Sequence, residues 1–285
     1  MNTPKLVLAT AVLVDNLDTW PELICRCIGS QRDMLSGAHN GAWLDYEIET
    51  RINTPSNNLG VTGSLQWLYE HTTASVIAFL HSDCEIFEPG WDLRVLREFD
   101  DPRVGVVGFG GALQLGEDEI YRTPYRLTQL RRIDYRSNTR DAEQHGERFT
   151  GACDVATLDG FALVVRRELL DHWLHGKPYN GSYASSSRHW EARKASVNAP
   201  IPGWPYLRYP FHNYDNALCV HAHRVGWRVR LVGIDCIHHG GATATTEAYQ
   251  QWSVDKLGKP DHQVHTDSHA ALYEDGRGVL PWRIK

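Results

Sequence analysis

Residues 75–92 read Ser75-Val-Ile-Ala-Phe-Leu-His81-Ser82-Asp83-Cys-Glu-Ile-Phe-Glu-Pro-Gly-Trp91-Asp92. Ser75–Leu80 is a short, nearly unbroken apolar run, the pattern of a strand buried on both faces. It stops at a polar cluster, His81-Ser82-Asp83. In open α/β sheets ligands gather at the carboxyl ends of strands, where a polar cluster need not enter the core. A carboxylate there can hold Mg2+ or Mn2+, and such a metal can bind the two phosphates of a nucleotide diphosphate. The same tripeptide also fits a helix cap or an ordinary turn aspartate.

Outward from this stretch, strand-like and helix-like segments alternate. Leu6–Val14, Leu44–Ile52 and Val104–Phe109 read as strands. Thr19–Gln31, Thr62–His71 and Trp91–Phe99 read as helices, the first with Pro21 in its opening turn and Asp18 or Thr19 as cap. Phe161–Val165, Arg167–His175, Tyr214–Val225 and Trp227–Ile237 continue as strand, helix, helix and strand. This alternation predicts an α/β fold with a mostly parallel central sheet flanked by helices. Long loop insertions are expected in the C-terminal half, at about 137–154 and 176–210. The second is rich in Gly, Ser, Pro, Tyr and Trp, as lids and acceptor-binding segments often are. One domain over 1–250 is expected, with 251–285 a polar C-terminal extension packing on its surface.

Composition sets bounds. The 285 residues are 42% hydrophobic and 22% charged, enough apolar content for a sizeable core. A net charge of −6 argues against a general phosphate-binding surface. The one basic stretch, Arg122 to Arg140, reads first as a solvated helix face. The apolar run Leu6–Val14 is too short for a membrane helix, and no export signal is apparent, so a cytoplasmic protein without membrane insertion is expected. Six cysteines without a CxxC pair read as free thiols, not as a paired-cysteine zinc site.

Further clusters fall at element ends. His238-His239-Gly240-Gly241 follows a strand; imidazole ligates metals well, and glycines let backbone approach a phosphate. Asn57-Asn58-Leu-Gly60 runs into a helix and suits phosphate or ribose contact, or simply a capped turn. Asp215, in Asn213-Tyr214-Asp215-Asn216, is either a helix cap or a general base for an acceptor hydroxyl. Leu158-Asp159-Gly160-Phe161 is a turn entering a strand.

In this order the pieces resemble the GT-A glycosyltransferases, in particular the large inverting, nucleotide-sugar-dependent family (family 2-like). Asn58-x-Gly60 looks like the family's Asn-x-Gly turn. His81-Ser82-Asp83 with Glu88-Pro-Gly-Trp91-Asp92 looks like its DXD region. Asp159-Gly160 with Arg166-Arg167-Glu168, Tyr214-Asp215, and His238-x-Gly240-Gly241 resemble its later motifs. The resemblance implies a metal-dependent transfer of a sugar from a nucleotide-sugar donor, with UDP the default, to an acceptor hydroxyl with inversion. It implies Asp83 and His238 as ligands of Mn2+ or Mg2+, with His239 as the substitute for His238. It implies Thr10, Asn58, Gly60, Ser82 and Asp83 beside the donor, Asp159 near the transferred sugar, and Asp215 as base. His81 stands where the family's first DXD aspartate would. The acidic residue that reads the base is expected among Asp45, Glu47 and Glu49. The acceptor is open between a glycan, a small molecule and a nucleic acid, with Tyr179, Tyr183, Trp190, Trp204 and Tyr206 as stacking candidates. A retaining GT-A transferase and a catalytically degenerate nucleotide- or carbohydrate-binding module are the alternatives.

Overall fold

A computed structural model describes residues 6–13, 16–37, 46–54, 56–122, 125–140, 146–175, 208–240, 246–280 and 282–284. The stacking aromatics of the 176–210 segment, from Tyr179 to Tyr206, lie outside these, as do Asp45 and Gly241.

Among the described residues seven strands form the main sheet, in the order β2-β1-β3-β11-β5-β12-β9. These are β1 (Leu6–Val12), β2 (Tyr46–Ile52), β3 (Val76–His81), β5 (Val104–Gly108), β9 (Ala152–Asp154), β11 (Ala162–Arg166) and β12 (Arg228–Val232). β1 pairs in parallel with β2 and β3, and β12 pairs in parallel with β5. Only β11 and β9 run the other way. The sheet is therefore mostly parallel with helices on both faces, as the alternation predicts.

Residue parity divides the core. Val7, Ala9, Ile77, Phe79, Val165, Val229 and Leu231 face one layer, formed by α3 (Gly60–Glu70), α5 (Arg167–His175) and α6 (Tyr214–Arg224). Leu6, Leu8, Val76, Ala78, Leu80 and Val164 face the other, with Trp91 and Val95 of α4 (Trp91–Leu96). Each strand thus contributes alternate side chains to two apolar layers, which is why its sequence reads as a continuous hydrophobic run.

Three expectations need correction. The Arg122–Arg140 stretch is not helical: β6 (Gly110–Arg122) and β7 (Tyr125–Ser137) form a long antiparallel hairpin. Its sheet also includes β8 (Glu147–Arg148), β10 (Thr157–Leu158) and β14 (Trp282–Arg283). Trp227–Ile237 is not one strand. After β12 the chain turns through residues 233–235, and β13 (Cys236–His238) pairs antiparallel with β4 (Cys84–Ile86). The polar tail is not a surface wrap either. α7 (Glu247–Leu257) crosses the expected boundary at 250, and α8 (Asp261–Asp275) inserts Ala271 and Leu272 into the first core layer. α1 (Asn16–Thr19) and α2 (Pro21–Asp33) complete the described helices. Among the described residues no helix is long and apolar enough to cross a membrane.

Candidate active site at the carboxyl edge of the sheet

β3 ends at His81, and the chain turns through Ser82 and Asp83 before β4 begins at Cys84. The β4–β13 pair lies across this turn, with His238 opposite Cys84 in register. The His239 N–H donates to the Asp83 carbonyl at 3.0 Å, which fastens the two segments together. His81 Nδ1 lies 3.7 Å and His238 Nε2 3.6 Å from the same oxygen, Asp83 Oδ1. Asp83 sits in a turn and caps no helix.

His238 is held by packing. Its ring stacks on Phe161 with centroids 4.7 Å apart and meets His81 edge-on at 5.4 Å. Gly240 is required beneath it, because a Cβ there would lie 2.4 Å from the imidazole. His81 is fixed from its other nitrogen, since Nε2 lies 2.9 Å from the Tyr214 hydroxyl. The Tyr214 O–H donates to the Gly160 carbonyl at 3.3 Å. With Nε2 engaged by the phenol, Nδ1 is the His81 nitrogen on the Asp83 side. Desolvation holds the His81 imidazole below its ordinary value, opposed by the Asp83 carboxylate and reinforced by His238.

The opposite wall is the start of α6. Asn213 is its N-cap residue, in the left-handed conformation (φ 61°), so Asp215 is not the cap. Asp215 is buried. Its Oδ2 accepts from the Gly160 N–H at 2.8 Å and its Oδ1 from the Asn216 N–H at 2.7 Å. Thr157 Oγ1 donates to Asn216 Oδ1 at 2.6 Å, tying the helix start to β10. Gly160 is needed here too: a Cβ would come 2.4 Å from the Tyr214 hydroxyl. Next to it, Asp159 Oδ2 accepts from the Tyr135 hydroxyl at 3.2 Å, so the unexpected hairpin contributes a residue to the site.

Two cavities meet at His81, Gly160 and Tyr214. The first, of about 160 Å3, has an apolar wall including Ala11, Val61, Leu65 and Phe79, and reaches Ser82, Asp83 and His238. The second, of about 410 Å3, is lined by Asp159 and Asp215 on one side and by His212, His265 and His269 on the other. His269 Nδ1 is buried without a hydrogen-bond partner among the described residues. Its imidazole is lowered to about 4, first by desolvation and then by the neighbouring His265 and His212. The histidine wall comes partly from α8, in a stretch whose polar composition gave no periodic signal.

Not every expected residue reaches the cavities. Thr10 has the parity of Leu6 and Leu8, so it points into the second layer. It is buried there, and its hydroxyl donates to Gln31 Oε1 at 3.0 Å. Ala11 lines the first cavity in its place. Asn58 and Gly60 make an Asx turn, Gly60 N–H to Asn58 Oδ1 at 2.9 Å. That turn lies under Trp252, whose indole N–H donates to the Asn58 carbonyl at 3.3 Å. Neither residue lines a cavity, whereas Val61 and Leu65 just beyond them do. Glu47 accepts from the Thr72 hydroxyl at 2.8 Å.

No family model matches this sequence, and no curated protein matches it. Among solved structures the chain is similar to the mannosyltransferase of Pyrobaculum calidifontis in complex with GDP-Man and Mn2+, at 10% identity over 97% of this chain and 70% of that one, with a TM-score of 0.44. It is also similar to glucosyl-3-phosphoglycerate synthase of Mycobacterium tuberculosis in complex with Mg2+ and uridine-diphosphate, at 12% identity over 90% and 81% of the two chains and a TM-score of 0.46. A further likeness, to A197 from STIV, covers 59% of this chain and 67% of that one at 16% identity and a TM-score of 0.29.

Proposed function

We propose that this protein is a metal-dependent glycosyltransferase that moves a sugar from a nucleotide-sugar, UDP-linked by default, to an acceptor hydroxyl with inversion. The carrying observation is the pairing of a His81–Asp83–His238 cluster, its ligand atoms within 4.8 Å of one another, with Asp159 and Asp215 across adjoining cavities. Two imidazole nitrogens and a carboxylate are a suitable donor set for Mn2+, and His81 supplies a neutral ligand where the resemblance would give a carboxylate. When bound there, the metal offsets the charge that develops on the leaving diphosphate.

The remaining work belongs to the chain. Asp215 accepts the proton of the incoming hydroxyl, while its contacts to Gly160 and Asn216 keep the carboxylate aimed. Asp159 faces the same cavity and orients the sugar or the acceptor. Tyr214 holds His81. The apolar wall of the first cavity excludes water from the donor side and limits hydrolysis. The acceptor enters through the larger cavity, whose histidines offer hydrogen-bonding groups to a polar molecule.

A binding module without turnover is the second reading, favoured by the burial of Asp215 and the engagement of both its oxygens. A thermal-shift panel of UDP- and GDP-sugars, each with and without Mn2+, tests the donor site, because ligand that binds only the native state raises Tm. A metal-dependent shift in the wild type that is lost in Asp83→Ala is expected. No shift with any nucleotide by the folded protein sinks the reading. A shift without sugar release or transfer in a companion nucleotide-release assay selects the binding module.

A further inference from the structure

Behind the Asp83 turn lies a second group of metal-ligating side chains that the proposed reaction does not use. Cys27 is on α2 and fully buried, Glu85 is on β4, and His239 follows β13. Sγ, a carboxylate oxygen and a ring nitrogen of these three residues all lie within 4.8 Å of one another. His239 Nε2 is 3.0 Å from Glu85 Oε2, and the other Glu85 oxygen is held by Arg26 Nε at 3.1 Å. The turn before β4 separates this group from the first cluster, since Asp83 lies in that turn and Glu85 on the strand itself. Asp83 and Glu85 are two apart in sequence, yet Asp83 shares its oxygen with His81 and His238, whereas Glu85 turns to α2 and the neighbouring imidazole.

We infer that Cys27, Glu85 and His239 form a separate site for a thiophilic divalent cation, zinc in the first place. A tetrahedral zinc sphere sets its donor atoms roughly 3.4 Å apart, so a small contraction of the present cluster closes it. Binding sends the Cys27 thiol proton to solvent and leaves Sγ as thiolate. His239 coordinates through Nε2 with its proton on Nδ1, and Glu85 coordinates through Oε2. One thiolate and one carboxylate balance the dication, so the centre is neutral, as burial requires. In the metal-free chain, burial and the carboxylates of Glu85 and Asp83 push the thiol up to about 12. The same negative surroundings favour a cation. Arg26 fixes the carboxylate from outside, the usual task of a residue behind a ligand. Sulfur separates the two sites chemically: thiolate selects zinc, while the His81–Asp83–His238 set suits manganese as well.

Cobalt reports on sulfur ligation directly. The full chain, stripped with chelator and titrated with Co2+ alone, should show a thiolate-to-cobalt charge-transfer band in the near ultraviolet. The band should persist in Asp83→Ala and in Cys25→Ser and vanish in Cys27→Ser and in His239→Gln. Zinc added to the wild type should remove it and leave one zinc per chain after dialysis in Asp83→Ala. Absence of the band from the folded wild type overturns the site, and so does its survival in Cys27→Ser. Circular dichroism checks that each variant is folded, and His239→Gln keeps the test decisive if Cys27→Ser is not. The outcome does not depend on any sugar transfer, so it stands or falls apart from the reaction proposed above.

Discussion

His81 Nε2 and the Tyr214 hydroxyl are 2.9 Å apart, while Nδ1 of the same ring lies 3.7 Å from Asp83 Oδ1. The phenol anchors the ring through Nε2 and leaves Nδ1 on the Asp83 side, where a ligand nitrogen is wanted in the proposed site. Tyr214→Phe removes the partner and lets the imidazole rotate. Outer partners of metal ligands are typically worth about 10–100-fold in metal affinity. Mn2+ affinity, read by electron paramagnetic resonance of the free ion, should weaken by about that factor. An unchanged affinity would show that Tyr214 has no positioning role.

Asp215 is the residue on which the proposed base chemistry depends. Asp215→Asn should lower the rate of transfer by about 100- to 10,000-fold, the usual worth of a positioned acid or base. Donor binding in the thermal-shift assay should survive. The substitution also sets an amide N–H against one of two backbone N–H donors, so about 1–3 kcal/mol of stability is lost with it. Rates measured well below the midpoint of the variant separate the two effects. Full activity in Asp215→Asn would transfer the role of base to Asp159.

Buried histidines make stability depend on pH in a defined direction. His269 is lowered to about 4, and His265, His172 and His221 are also lowered, each mainly by desolvation. The fold keeps these imidazoles neutral while the unfolded chain protonates them near 6.5. For His269 the unfolded state therefore binds more protons between about 4 and 6.5, and the other three act in the same direction below 6.5, so stability falls as pH falls. Each group contributes at most about 1.4 kcal/mol per pH unit, less where solvent screens it. Tm should be flat with respect to these groups above 6.5 and decline below it. His269→Gln should decline less steeply than the wild type; identical profiles would mean that His269 does not titrate as its burial requires.

The parallel sheet was legible because β1, β3 and β5 carry apolar side chains on both faces, which leaves an unambiguous run in the sequence. The polar residues that end those runs, His81 and Asp83 above all, mark the candidate site for the same reason. Thr10 was misplaced because a single polar residue inside a strand gives no sign of which layer it faces. Only the parity of Leu6 and Leu8 settles that, once the layers are known. The β6–β7 hairpin was missed because its charged second strand has the composition of a solvated helix. Strand pairing across residues 110–137 overrides local propensity there. Tyr214, Tyr135 and the α8 histidines enter the site through contacts 24 to 133 residues apart or through a cavity wall, and no local pattern encodes these.

Gly60 and Trp252 give the sharpest test of how the C-terminal helices are joined to the sheet domain. Gly60 has φ +66°, and a Cβ there would come 2.5 Å from the Trp252 ring. Gly60→Ala therefore has two costs. One is the left-handed backbone, about 1–2 kcal/mol for a residue with a Cβ. The other is displacement of an indole that is almost fully buried and bonded to the Asn58 carbonyl. Trp252→Ala alone should cost about 3–5 kcal/mol as a large-to-small change. In the double variant the collision disappears and only the backbone cost of the alanine remains. The two losses should then add to less than the sum of the single variants, by more than the roughly 0.5 kcal/mol expected for independent sites. Urea unfolding of the wild type, both single variants and the double variant measures this coupling. Simple additivity would mean that α7 does not rest on the Asn58-Leu59-Gly60 turn in solution.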